Sequence, residues 1–143
     1  NSWAILTTEN WTKILWCHFL IDLEKNSFNG LGSLKFLNLS FNQIELVRND
    51  SLSNFVHLEL MDLSNNLIRF IEPYSMINFK LLKYLNIDLN PLISYEFMKI
   101  TLKELESIKY IYLSSNFLDS NNSQNLISFI KPKKFGKILS VDY

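Results

Sequence analysis

Four asparagines, Asn42, Asn66, Asn90 and Asn116, recur at intervals of 24, 24 and 26 residues. A side-chain amide carries both donors and an acceptor. Its chemistry is the pairing of backbone N–H and C=O groups that a turn leaves without partners. That chemistry makes a structural ladder rather than a catalytic one, and nucleophile or proton-transfer chemistry finds little support elsewhere. Cys17 and His18 are adjacent, but neighbouring residues of a strand point to opposite faces, so they do not form a nucleophile–base pair. His57 stands alone before an apolar stretch, and no Cys/His/Asp cluster has metal-ligand spacing. The sequence predicts no catalytic residue, no metal site and no cofactor.

The elements that must hold these amides are written around them. Each asparagine occupies the ninth slot of a recurring stretch: LKFLNLSFNQI from Leu34, LELMDLSNNLI from Leu58, LKYLNIDLNPL from Leu82 and IKYIYLSSNFL from Ile108. The fourth and sixth slots are apolar between mainly polar neighbours, the alternation of a half-buried strand. One such strand cannot bury its apolar side alone, whereas stacked copies form a parallel sheet over a shared core. The pattern L-x-x-L-x-L-x-x-N-x-L resembles the leucine-rich repeat family, clearly over residues 34 to 118. The resemblance implies an α/β fold: a leucine-rich repeat solenoid, a right-handed superhelix. Its parallel β-sheet would line the concave face, with short 3₁₀, helical or irregular segments on the convex side. The 24-residue period is similar to that of Toll-like receptor ectodomains and related extracellular members. The plant form has a G-x-I-P stretch after the asparagine; here Gln43-Ile44-Glu45-Leu46 and Leu67-Ile68-Arg69-Phe70 stand there.

In chain order, residues 1–143 read as a single repeat domain. Residues 1–33 form a degenerate first unit, with Asn10 and Lys13 in the first two leucine slots, Leu15, Leu20 and Leu23 in later apolar slots, and His18 in place of the asparagine. Trp3, Trp11 and Trp16 lie in this unit and are expected to cover the end of the core. Units 34–57 and 58–81 are the most regular, and Phe55 and Phe79 should stack inside. Gly30 to Lys35 reads as a convex loop, not a phosphate-binding loop. Unit 82–107 carries two extra residues and a short helix in EFMKITLKELESI, with Phe97, Ile100 and Leu105 inward. Unit 108–137 is looser. Residues 138–143 start a truncated fifth unit, with Ile138, Val141 and Tyr143 in slots one, four and six. Ending inside the motif suggests a fragment of a longer protein, with self-association through the uncapped end as a further expectation.

The remaining slots face outward and form columns down the stack. Slot two is Lys35, Glu59, Lys83 and Lys109; slot three is Phe36, Leu60, Tyr84 and Tyr110; slot five is Asn38, Asp62, Asn86 and Tyr112; slot seven is Ser40, Ser64, Asp88 and Ser114. The slot-three row is apolar and aromatic, a composition enriched in binding hot spots. The alternative is rings stacked as cross-strand pairs, each adding roughly 0.2–1 kcal/mol to the sheet. Phe36, Asn38, Leu60, Asp62, Tyr84, Asn86, Asp88, Tyr110 and Tyr112 are the candidate ligand- or protein-binding residues.

Composition narrows the setting. Fourteen Lys and Arg balance fourteen Asp and Glu, so no global field steers the chain to nucleic acid or membrane. The apolar run Ile14 to Ile21 is too short to span a bilayer. A single cysteine excludes an intrachain disulfide, and the cysteine-rich caps usual in extracellular relatives are not seen, nor is a signal peptide. Sequons at Asn10, Asn49 and Asn121 are candidate glycosylation sites; a fourth, at Asn38, lies on the expected concave face, where a glycan would obstruct binding. The reading is recognition of a protein partner or other ligand through the concave face. It favours an extracellular or cell-surface fragment of a receptor-like or secreted signalling protein. The alternative is an intracellular scaffold or adaptor. An enzyme is disfavoured, because the repeat register leaves no convergent acid, base or nucleophile.

Overall fold

The computed structural model describes residues 6–8, 12–14, 20–25, 28–93, 95–114 and 137–141. Seven strands form one sheet in the order β1-β2-β3-β5-β7-β8-β9. They are β1 (Leu6–Thr8), β2 (Thr12–Ile14), β3 (Phe36–Asn38), β5 (Leu60–Asp62), β7 (Tyr84–Asn86), β8 (Tyr110–Ser114) and β9 (Lys137–Val141). All neighbours are parallel except β1, which runs antiparallel to β2. Two further short strands, β4 (Leu46–Val47) and β6 (Phe70–Ile71), pair in parallel as a separate ribbon. The sequence did not announce β1 or this ribbon.

A single register runs through the stack. Lys13 pairs with Leu37, Leu37 with Met61, Met61 with Leu85, Leu85 with Ile111, and Ile111 with Ile138. The last pair corrects the expected placement of the final unit. Ile138 lies opposite the fourth slot, not the first, so the unit begins three residues earlier and in sequence Phe135 takes its first slot. Apolar residues at spacing three fit either register. Five consecutive ladder pairs, Tyr110–Lys137 to Ser114–Val141, decide between them.

The core follows from the slots. Leu34, Leu58, Leu82 and Ile108 are buried, as are Leu37, Met61, Leu85 and Ile111, and Leu39, Leu63, Ile87 and Leu113. On the convex side the chain returns through successive turns, each closed by an N–H bonding the carbonyl three residues back. Examples are Ser51 to Arg48, Phe55 to Leu52 and Leu58 to Phe55, then Ser75 to Glu72, Phe79 to Met76 and Leu82 to Phe79. This hydrogen-bond spacing is that of the 3₁₀ helix, used one turn at a time. It brings Phe55 and Phe79 fully inside, and Phe28 meets Phe55 with ring centroids 5.2 Å apart.

The two extra residues of the third regular unit are accommodated by α1 (Tyr95–Glu104). Leu105 is buried as expected, but Ile100 is only half-buried and the inward positions on the helix are Thr101 and Leu102. The register of the turns explains the difference. Leu102 and Leu105 take the places of Met76 and Phe79 one coil earlier. The side chain of Phe97 and the tryptophans Trp3, Trp11 and Trp16 lie outside the described residues.

One column breaks the apolar rule. Ser51, Ser75 and Thr101 occupy equivalent convex positions, are buried, and their hydroxyls have no hydrogen-bond partner. A buried unpaired hydroxyl costs desolvation without return. Ser75→Ala is therefore expected to be neutral or to stabilise by up to about 1 kcal/mol in urea denaturation, with the slope of the transition unchanged.

Candidate ligand-recognition face

The face is held from behind by the asparagines. The Asn66 Nδ2 donates to the Leu63 and Ser64 carbonyls of its own coil and to the Leu39 carbonyl of the preceding coil, at 3.0, 3.2 and 2.9 Å. Its Oδ1 accepts the Ile44 N–H, also of the preceding coil, at 3.1 Å. Asn90 repeats this arrangement one coil on, with Ile87, Asp88 and Leu63 as acceptors and the Ile68 N–H as donor. Asn42 donates to Leu39 and Ser40 and accepts from the Leu20 N–H. All three amides are buried, and each reaches back toward the N-terminal neighbour. Asn116 lies outside the described residues.

In front of the ladder, the strand pairing sets Phe36, Leu60, Tyr84 and Tyr110 in one row and Asn38, Asp62, Asn86 and Tyr112 in the next. Phe36 and Tyr110 are exposed; Leu60 and Tyr84 are half-buried. The rings gather at one end of the face. Tyr84 lies 5.0 Å from Tyr112 and 6.3 Å from Tyr110, centroid to centroid, tilted by 41° and 46°. The Tyr84–Tyr112 contact crosses between rows, and reading the columns separately does not find it. Burial, with the Tyr112 and Asp62 side chains beside it, pushes the Tyr84 hydroxyl above the ordinary tyrosine range. It is therefore a donor at neutral pH.

The slot-five row is committed to the backbone. Asn38 Oδ1 accepts the Ser40 N–H at 2.8 Å, Asp62 Oδ1 the Ser64 N–H at 2.9 Å, and Asn86 Oδ1 the Asp88 N–H at 3.1 Å. These are Asx turns. Each captures an N–H that a continuing strand would give to its neighbour, and β3, β5 and β7 end at these very residues. Tyr112 has no such oxygen, and β8 runs on to Ser114. Asp62 keeps one oxygen in reach of the face, where the Asn86 Nδ2 bonds it at 3.3 Å.

Two expectations need correction. Asp88 is not a concave surface residue: it is 8% exposed. The Asx turn folds it inward, and the Asn65 N–H and Asn90 Nδ2 bond its carbonyl. Ser64, in the same column, is buried too. At the other edge Glu59 is bonded by Lys83 and pairs with Lys35 at 3.6 Å, and these lysines hold its carboxyl below the usual carboxylate range. His57 sits on the loop before β5 with Nδ1 2.9 Å from the Gly32 carbonyl. Asn49 is exposed on the convex turn and its N–H bonds Glu72 Oε2 at 3.0 Å, while Asn38 is half-buried. Cys17, His18, Asn10 and Asn121 lie outside the described residues. Among the described residues no group of three His, Cys, Asp or Glu is placed to hold a metal ion. No described helix is long and apolar enough to cross a membrane.

Comparison with known families finds the leucine rich repeat over residues 14–68. Residues 14–68 are leucine rich repeats, and the fold around them is that of a leucine-rich-repeat solenoid. Solved structures agree with it. The TLR13 chain of a TLR13–ssRNA13 complex superposes with a TM-score of 0.59 at 27% identity, covering 66% of this chain and 13% of that one. Internalin C2 of Listeria monocytogenes str. 4b F2365 superposes with a TM-score of 0.51 at 20% identity, covering 82% of this chain and 57% of that one, and supports the fold. The leucine-rich-repeat chain thus spans a small part of the first relative and somewhat over half of the second. No curated protein matches the sequence. Leucine-rich-repeat domains are generally protein-interaction scaffolds and typically non-catalytic.

Two predictions follow from this geometry. Asn66→Ala should destabilise the fold by at least about 2 kcal/mol, because it strands buried backbone groups of two coils; urea denaturation reads this directly. Asn66→Asp should cost no less, since it sets an anion against three carbonyls. In the alkaline range, the unfolded chain ionises this phenol near pH 10, the ordinary value, before the folded chain does. Stability supported by neutral Tyr84 is therefore complete below about pH 10 and is lost as pH rises further. Wild type should lose stability more steeply there than Tyr84→Phe, and the 295 nm difference between the two should develop only above the ordinary tyrosine range.

Proposed function

We propose that this leucine-rich-repeat chain recognises a protein partner through its concave face, as part of a receptor-like or secreted protein. The observation that carries the reading is the aromatic row ending in the Tyr84, Tyr110 and Tyr112 cluster. Tyrosine presents a large amphipathic surface with few rotatable bonds, so little entropy is lost when a partner docks. Here the described ladder fixes the backbone beneath Phe36, Leu60 and Tyr84, and Tyr84 is fixed further by its neighbours. The polar row beside it keeps Asn86 Nδ2 and Asp62 Oδ2 at the surface level as a hydrogen-bonding rim. A row of exposed and half-buried apolar side chains, three of them rings, over a pre-organised sheet is what a hot spot needs.

The extracellular setting is supported by the similarity to TLR13 and by the exposure of Asn49 within its sequon. Binding of RNA belongs to the TLR13 complex; the neutral charge of this chain favours a protein ligand. Asp88, being buried, is left out of the proposed contact set.

The test is direct binding of a partner purified by affinity capture from the native source. Tyr84→Ala combined with Tyr110→Ala should weaken its affinity about tenfold or more while far-UV circular dichroism stays that of wild type. A convex control, Glu106→Ala, should bind as wild type does. Undiminished binding by the double variant would move the site off the concave face.

A further inference from the structure

Away from the concave face, the segment that follows each asparagine makes a second column. The Glu45 N–H donates to the Ile21 carbonyl at 3.4 Å, the Arg69 N–H to Glu45 at 3.0 Å, and the Ile93 N–H to Arg69 at 3.1 Å. Ile21, Glu45, Arg69 and Ile93 therefore occupy one repeat position in four successive coils, and all four are exposed, the isoleucines at 59% and 63%. Among the described residues, neither Glu45 nor Arg69 has an ion pair. Two residues before Arg69, Leu67 is exposed as well, at 46%.

The left-handed residues Phe41, Asn65 and Leu89, φ 56°, 53° and 52°, recur at one slot and belong to the turn of the repeat itself. What marks the flank is the column: exposed isoleucines at its ends, with an acid and a base between them that have no ion pair among the described residues. Such a surface is suited to being covered.

The order of the column says by what. Along the stack it reads apolar, acid, base, apolar. Turned through a two-fold axis it meets itself in complementary order: Ile21 against Ile93, Glu45 against Arg69, Arg69 against Glu45, Ile93 against Ile21. A two-fold interface requires a patch that is its own complement, and a foreign partner would impose no such symmetry. We infer that this flank is the docking surface for a second copy of the chain. The copies pair antiparallel, with two reciprocal Glu45–Arg69 ion pairs between apolar ends. The inference is independent of the concave-face reading, which involves other residues.

Sedimentation equilibrium on the 143-residue chain, up to on the order of 0.1 mM, tests it. Wild type should associate reversibly to a dimer. Glu45→Arg and Arg69→Glu should each dimerise at least about tenfold more weakly, because each sets like charges face to face. An equimolar mixture of the two variants should associate again, since two bases then face two acids, and the double variant E45R/R69E should dimerise as wild type does. All four positions are at the surface, so the circular dichroism melts should coincide. A wild type that stays monomeric throughout, or single variants that dimerise as wild type does, or a mixture that fails to associate, would overturn the inference.

Discussion

A chain that leaves a three-residue strand and turns at once strands its backbone groups inside the molecule. The buried amides of Asn42, Asn66 and Asn90 resolve that problem, and the rest of the structure rests on the solution. Because one amide serves two coils, the turns repeat at a fixed register. Because the register is fixed, the apolar slots superpose into a continuous core and the outward slots into straight columns. The concave face is thus a by-product of the interior. Its side chains can differ from coil to coil while the amides behind them stay the same.

The periodicity of the sequence told most of the interior. Leucine slots, asparagine slots and the inward phenylalanines could be assigned because burial allows few residue types there, and repetition separates signal from coincidence. The face was harder. A column of Asn and Asp looks like a row of ligand groups, yet Asn38, Asp62 and Asn86 each spend an oxygen on an N–H two residues ahead. Nothing in the residue type distinguishes a side chain turned to solvent from one turned on its own backbone. Asp88 failed for the same reason, since its burial is decided by the turn before it.

Where the repeat loosens, legibility falls with it. Ile138 and Val141 fit two registers, and only the ladder from Lys137 to Val141 distinguishes them. The helix is a milder case: Leu102 rather than Ile100 is inward, because the position of each residue relative to the preceding coil outweighs amphipathic spacing within ten residues. The antiparallel β1 has no counterpart in the repeat, so no repeat argument could anticipate it.

The three described amides all point one way. Asn66 completes the turn that ends the coil of Leu39 and Ile44, and Asn90 completes that of Leu63 and Ile68. A coil is therefore not finished by its own residues but by those synthesised some two dozen positions later. Cut the described stack between two coils, and the N-terminal piece is left with backbone groups that have lost a hydrogen-bond partner, while the C-terminal piece keeps the amide that served them. The stack therefore has a built-in direction.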